Sequence, residues 1–178
     1  MKKTILIFMM LSLTIASFSK EKEESVKENK KIEISQSEKE DYKKIREDWA
    51  EYLSGVPKKA DILTMNSKEF LDICAANDRS GDNSYKKINR DLNKTYLFKG
   101  YTNMANGVHV LKSYEELKNV ARAYATPNTK YYKHPKVKED LINMLDWLYD
   151  NAYHEGLPEN GNWWQWELGI PKTLNDII

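Results

Sequence analysis

The chain has 178 residues, with 28 Lys and Arg against 27 Asp and Glu and a formal net charge of +1. That balance carries no general signature of a polyanion or nucleic-acid partner, although a local basic cleft needs no net charge to work. Its one cysteine, Cys74, excludes an intrachain disulfide and any cysteine-based metal spacing.

Residues 1–19 have the layout of a secretory signal: Lys2 and Lys3, the apolar run ILIFMMLSLTIA, then small residues, with cleavage expected after Ser19. The run is too short, and too quickly followed by charge, to span a bilayer as a mature helix. No stable membrane insertion is expected once it is removed. Residues 20–36, KEKEESVKENKKIEISQ, are dense in Lys and Glu and poor in large apolar residues, so they read as a flexible charged linker.

From residue 37 the composition changes, and 37–178 reads as one helical domain. Ser37 and Glu40 form a capping box before Tyr42, Ile45, Trp49, Tyr52 and Leu53, a helix expected to end near Gly55 and Pro57. Asn66 and Glu69 cap a second helix bearing Phe70, Leu71, Ile73 and Cys74. A third is expected over 83–96, with Ile88, Leu92 and Tyr96 on one face. Ser113 and Glu116 make another capping box before Leu117, Val120, Ala121 and Tyr124, and Pro127 stops that helix. His134 and Pro135 open the longest one, to about Tyr153, with Val137, Leu141, Leu145, Leu148 and Ala152 in one stripe. Val108–Leu111, VHVL, is the lone strand-like run, so the fold class is all-α, built of antiparallel helical pairs.

Three of the five tryptophans, Trp163, Trp164 and Trp166, lie in GNWWQWELGIPKTLNDII. Adjacent residues diverge by about 100° on a helix and face opposite sides on a strand, so Trp163 and Trp164 are not both expected in one core. Glycines and prolines around them place the pair by a loop, where an exposed indole offers a platform for the C–H face of a sugar and Asn162 can hydrogen-bond hydroxyl or carboxylate groups. Plain packing of the indoles stays open beside that reading. Glu155, Glu159, Glu167 and Asp176 show no mark of a catalytic pair. His109, His134 and His154 lack metal-ligand spacing; His134 reads as a helix cap and His154 as a cation at a helix end. No cofactor or metal is indicated.

ARAYATPNTKYY, LINMLDWLYDNAY and NGNWWQWELGIPKTLND, in that order, resemble the N-terminal helical domain of polysaccharide lyase family 8, the hyaluronate, chondroitin AC and xanthan lyases. REDWAEYLSG resembles its first helix. The resemblance implies an incomplete α/α toroid around a cleft for an acidic polysaccharide. Trp163 and Trp164 would form its aromatic patch, with Asn162 adjoining and with Trp166, Glu167 and Pro171 shaping the turn. It also implies β-elimination by Asn, His and Tyr residues well downstream of the Asn-Trp-Trp motif. With the sequence stopping fifteen residues after Trp163, no catalytic residue is expected here, and an uncovered apolar face is expected beside the last helix. The alternatives are a secreted, non-catalytic glycan-binding module and an unrelated helical surface protein.

Overall fold

The computed structural model describes residues 34–154, 156–159 and 161–177, and the chain divides after Glu40 into two units. The expected signal at 1–19 and nearly all of the expected linker lie outside the described residues. Among the described residues there is no strand, and no helix is long and apolar enough to cross a membrane. The fold is all-α.

Helix α1 spans Gln36–Ser54. Its capping box falls two residues ahead of the expected Ser37 and Glu40. The Ser35 N–H donates to the Glu38 carboxylate at 2.8 Å and the Glu38 N–H donates to Ser35 Oγ at 3.2 Å, so Gln36, assigned to the linker by composition, is already helical. Gly55, at φ 71°, closes the helix by donating its N–H to Glu51 O at 2.9 Å. The expected apolar face is present but uncovered: Tyr42, Ile45, Trp49 and Tyr52 are exposed, and Trp49 stacks on Tyr52 with ring centroids 5.2 Å apart.

A short α2, Ile62–Met65, precedes α3, Lys68–Tyr85. Asn66 ends α2, and the N-cap of α3 is its neighbour Ser67, whose hydroxyl accepts the Phe70 N–H at 3.2 Å. No helix spans 83–96. Helix α3 keeps residues 83–85 and the chain then doubles back, with the Asn89 N–H donating to Leu97 O at 2.8 Å and the Lys99 N–H to Lys87 O at 2.9 Å around an Ile88–Phe98 bridge. This turn buries Leu97 and Phe98 and leaves Leu92 outside, whereas the helical phase of Ile88, Leu92 and Tyr96 would have offered the core one large residue per turn.

Helix α4 spans Gly107–Ala125 and starts six residues before the expected capping box, so VHVL is helical. The Asn106 side chain caps it by accepting the Val108 N–H at 2.9 Å. Ser113 and Glu116 therefore lie inside a helix whose amides are already paired. Ser113 donates back to His109 O at 2.9 Å, and Glu116 accepts from Ser84 at 2.6 Å and Lys87 at 2.7 Å. Helix α5, Pro135–Asn151, opens as expected with the His134 ring accepting the Lys136 N–H at 3.2 Å. Val137, Leu141, Met144 and Leu148 face the core while Ile142 stays exposed, so α5 is covered on one side only.

Helix α4 is the axis of the core: Val110, Leu117 and Val120 are fully enclosed, with Phe98, Leu148 and Ile170 closing around it. Helix α3 crosses it so tightly that a Cβ built on Gly81 would stand 2.3 Å from Ala123 Cβ and 3.3 Å from Asn119 O. Buried polar groups are matched across these elements. Asn77 donates to Ser54 O at 2.9 Å and to Thr126 Oγ1 at 3.1 Å, tying the end of α1 to α3 and to the end of α4. Asp140 meets the Tyr85 hydroxyl, Arg90 and Lys136; burial opposes its ionisation, but those three donors hold its pKa below the ordinary aspartate value.

Candidate functional site: two exposed indoles on a wide turn

The chain that enters the C-terminal helix α6, Ile170–Asn175, is anchored at Asn162. Gly161, at φ 91°, takes a left-handed turn that a side chain would strain. This turn abuts the start of α4: a Cβ built on Gly161 would stand 3.6 Å from the Gly107 nitrogen, at the helix end that carries partial positive charge. Asn162 then anchors the next four residues. Its Oδ1 accepts the Trp164 N–H at 2.8 Å, and its carbonyl accepts from Gln165 at 3.0 Å and Trp166 at 3.4 Å. Of the three sequence-derived site residues, Asn162 thus serves as the cap with its side-chain oxygen.

Trp164–Gly169 forms one wide π-helical turn, closed by the Ile170 N–H donating to Gln165 O five residues back. Along it the tryptophans separate. Trp163 is 57% and Trp164 49% exposed, while Trp166 is 8% exposed. Trp166 packs edge-on to Tyr153 at 4.8 Å, and the Tyr153 hydroxyl donates to its carbonyl at 3.0 Å. Neither Trp163 nor Trp164 enters the core, and the third indole is the packed one. Leu168, on the same turn, is also exposed, whereas α6 itself buries Ile170 and Thr173.

Two features were missed by sequence reasoning. Glu159 and Glu167 come together at a shared hydrogen bond, and this bond and the charge of Glu167 raise the pKa of Glu159 above the usual glutamate value. Gly169, the glycine of WELG, lies under the edge of Trp164. The contact of Gly169 with Trp164 had no signal in spacing alone, since it depends on the extra residue in the wide turn.

The histidines serve backbone geometry. Each accepts a backbone N–H on Nδ1: His109 from Asn103 at 3.1 Å, His134 from Lys136 at 3.2 Å and His154 from Gly156 at 3.1 Å. His154 thus shapes the turn that follows α5. Among the described residues no group of three or more His, Cys, Asp or Glu is placed to hold a metal. A cavity of about 470 Å³ opens between Tyr114, Leu145, Tyr153, Trp166 and Leu174, and none of Asn162, Trp163 or Trp164 lines it.

With this geometry in place, comparisons with known proteins assign the family. A profile described as polysaccharide lyase family 8, N-terminal alpha-helical domain, matches residues 35–178. The xanthan lyase of Bacillus sp. (strain GL1) is 33% identical over 138 residues, covering 75% of this chain and 14% of its own length. The hyaluronate lyase of Staphylococcus aureus (strain NCTC 8325 / PS 47) is 26% identical over 156 residues, covering 78% and 19%. Among solved structures, Paenibacillus xanthan lyase superposes with a TM-score of 0.71 at 23% identity, over 78% of this chain and 13% of that one. The chain belongs to polysaccharide lyase family 8. It spans less than a fifth of the length of these relatives.

Proposed function

We propose that this chain is the substrate-platform portion of an exported lyase that acts on an acidic polysaccharide by β-elimination. Asn162, Trp163 and Trp164 form the contact surface. The observation that carries this reading is the selective exposure of two neighbouring indoles, in a chain of a polysaccharide lyase family, while a third indole two residues on is packed away. Large aromatic side chains left in solvent forgo burial, and ring faces suited to stacking on the C–H face of a pyranose supply the compensating use. The start of α4, close to Gly161, adds partial positive charge that suits a uronate carboxylate. In this reading the helical pairs form part of an α/α toroid, and residues 1–19 are the removed export signal.

Elimination needs a base at C5, a proton for the leaving oxygen and donors that neutralise the carboxylate. No such set is assigned within these 178 residues. The test uses the full chain with xanthan, hyaluronan and chondroitin, following binding by calorimetry and product by unsaturated-uronate absorbance. Binding without product is expected, and Trp163→Ala and Trp164→Ala should each weaken it about tenfold, or about 1.4 kcal/mol. A folded sample with no measurable affinity for any of the three, or robust product formation, would refute the proposal.

A further inference from the structure

We infer that Gly169 is a positioning residue of the aromatic platform, acting through Trp164; the inference rests on the platform reading above. Gly169 has φ −64° and ψ −50°, ordinary helical values that any L-residue adopts, so the backbone does not call for glycine here. A glycine inside helical structure is also disfavoured relative to alanine, because it gives up more backbone freedom on folding. Space supplies the reason. A Cβ built on Gly169 would stand 3.0 Å from Trp164 Cζ3 and 3.1 Å from Leu111 Cδ2, both closer than side chains normally approach.

The six-membered edge of Trp164 therefore rests on bare backbone, with Leu111 of α4 beside it. This seat fixes one ring of the pair. Trp163 is the more exposed of the two, at 57% against 49%. Ordering a side chain on binding costs free energy, and a ring held in advance avoids that cost. Trp164 is thus the preorganised plate on which a sugar ring lands, and Trp163 the adaptable one. A methyl group at position 169 would push the Trp164 ring off its seat while leaving both indoles present and exposed.

The test labels the full chain with 5-fluorotryptophan and assigns the ¹⁹F resonance of Trp164 by its loss in Trp164→Ala. In Gly169→Ala that resonance should shift or split. Affinity for hyaluronan and xanthan oligosaccharides should fall about tenfold. In the Trp164→Ala background the same change should alter affinity less than twofold, because the two residues act as one unit. Should Gly169→Ala fail to fold, Leu111→Val removes the other wall of the seat and is expected to broaden the Trp164 signal and weaken binding. An unmoved Trp164 resonance in a folded Gly169→Ala chain overturns the seat. An equal loss of affinity with and without Trp164 overturns it too, by reducing the effect to general destabilisation. Wild-type affinity in Trp164→Ala would instead sink the platform reading, and this inference with it.

Discussion

Helices α1 and α4 each have nineteen residues and each carry apolar side chains at helical spacing, yet α4 buries nine of its residues and α1 buries only Ser54. The periodicity of a helix states which face could be covered; neighbours decide whether it is. Helix α4 has α3, α5 and the wide turn around it, and its polar groups Ser113 and Glu116 are bonded inside the structure. On α1 the Trp49–Tyr52 stack is the main use made of the same kind of stripe.

The contrast can be broken at several points. The largest effect is expected at Leu117→Ala, in the fully enclosed centre of α4: about 3 kcal/mol of stability lost, read as a lower midpoint in denaturant. Next comes Gly81→Ala, which puts a methyl group into the α3–α4 crossing and should cost about 2 kcal/mol by the same measurement. Unaltered stability there would mean that the two helices are free to part.

Acid should act on the covered region third. Asp82 is held well below the usual aspartate range by Lys130, Lys86 and the Tyr131 hydroxyl, and Asp140 is also lowered. A depressed carboxylate contributes stability above its unfolded pKa, near 4, and loses that contribution as pH falls through its folded value. Thermal melts should therefore weaken below about pH 4. Asp140→Asn should lower the melting temperature at pH 7 and shrink its fall on acidification. The smallest effect is expected at Trp49→Ala on α1, within about 0.5 kcal/mol of wild type; a loss comparable to Leu117→Ala would show that the α1 face is covered in solution.

The features legible in the sequence rest on local chemistry. His134 before Pro135 is enough to start α5, because the ring accepts an amide and proline needs none. Gly55 ends α1 for a similarly local reason. The errors came where two local readings competed. Ser113 and Glu116 have capping-box spacing, but Asn106 had already started α4, and their side chains were needed by His109 and Ser84. Ile88, Leu92 and Tyr96 have helical spacing, but Leu97 and Phe98 had more apolar surface to bury. At the candidate site, the failure of Trp163 and Trp164 to enter one core together was legible because adjacent side chains diverge along a helix. The meeting of Gly169 with Trp164 was not, since it arises from a turn that departs from the usual winding.

That departure makes length as decisive as composition. A π turn takes one more residue per revolution than an α turn, so everything before Ile170 is phased by a single surplus position. Excising one residue between Trp164 and Ile170 would restore ordinary winding and rotate the Asn-Trp-Trp segment by about 100° relative to α6, with every remaining side chain unchanged. Homologues that differ here by one insertion or deletion would display different surfaces from nearly the same letters.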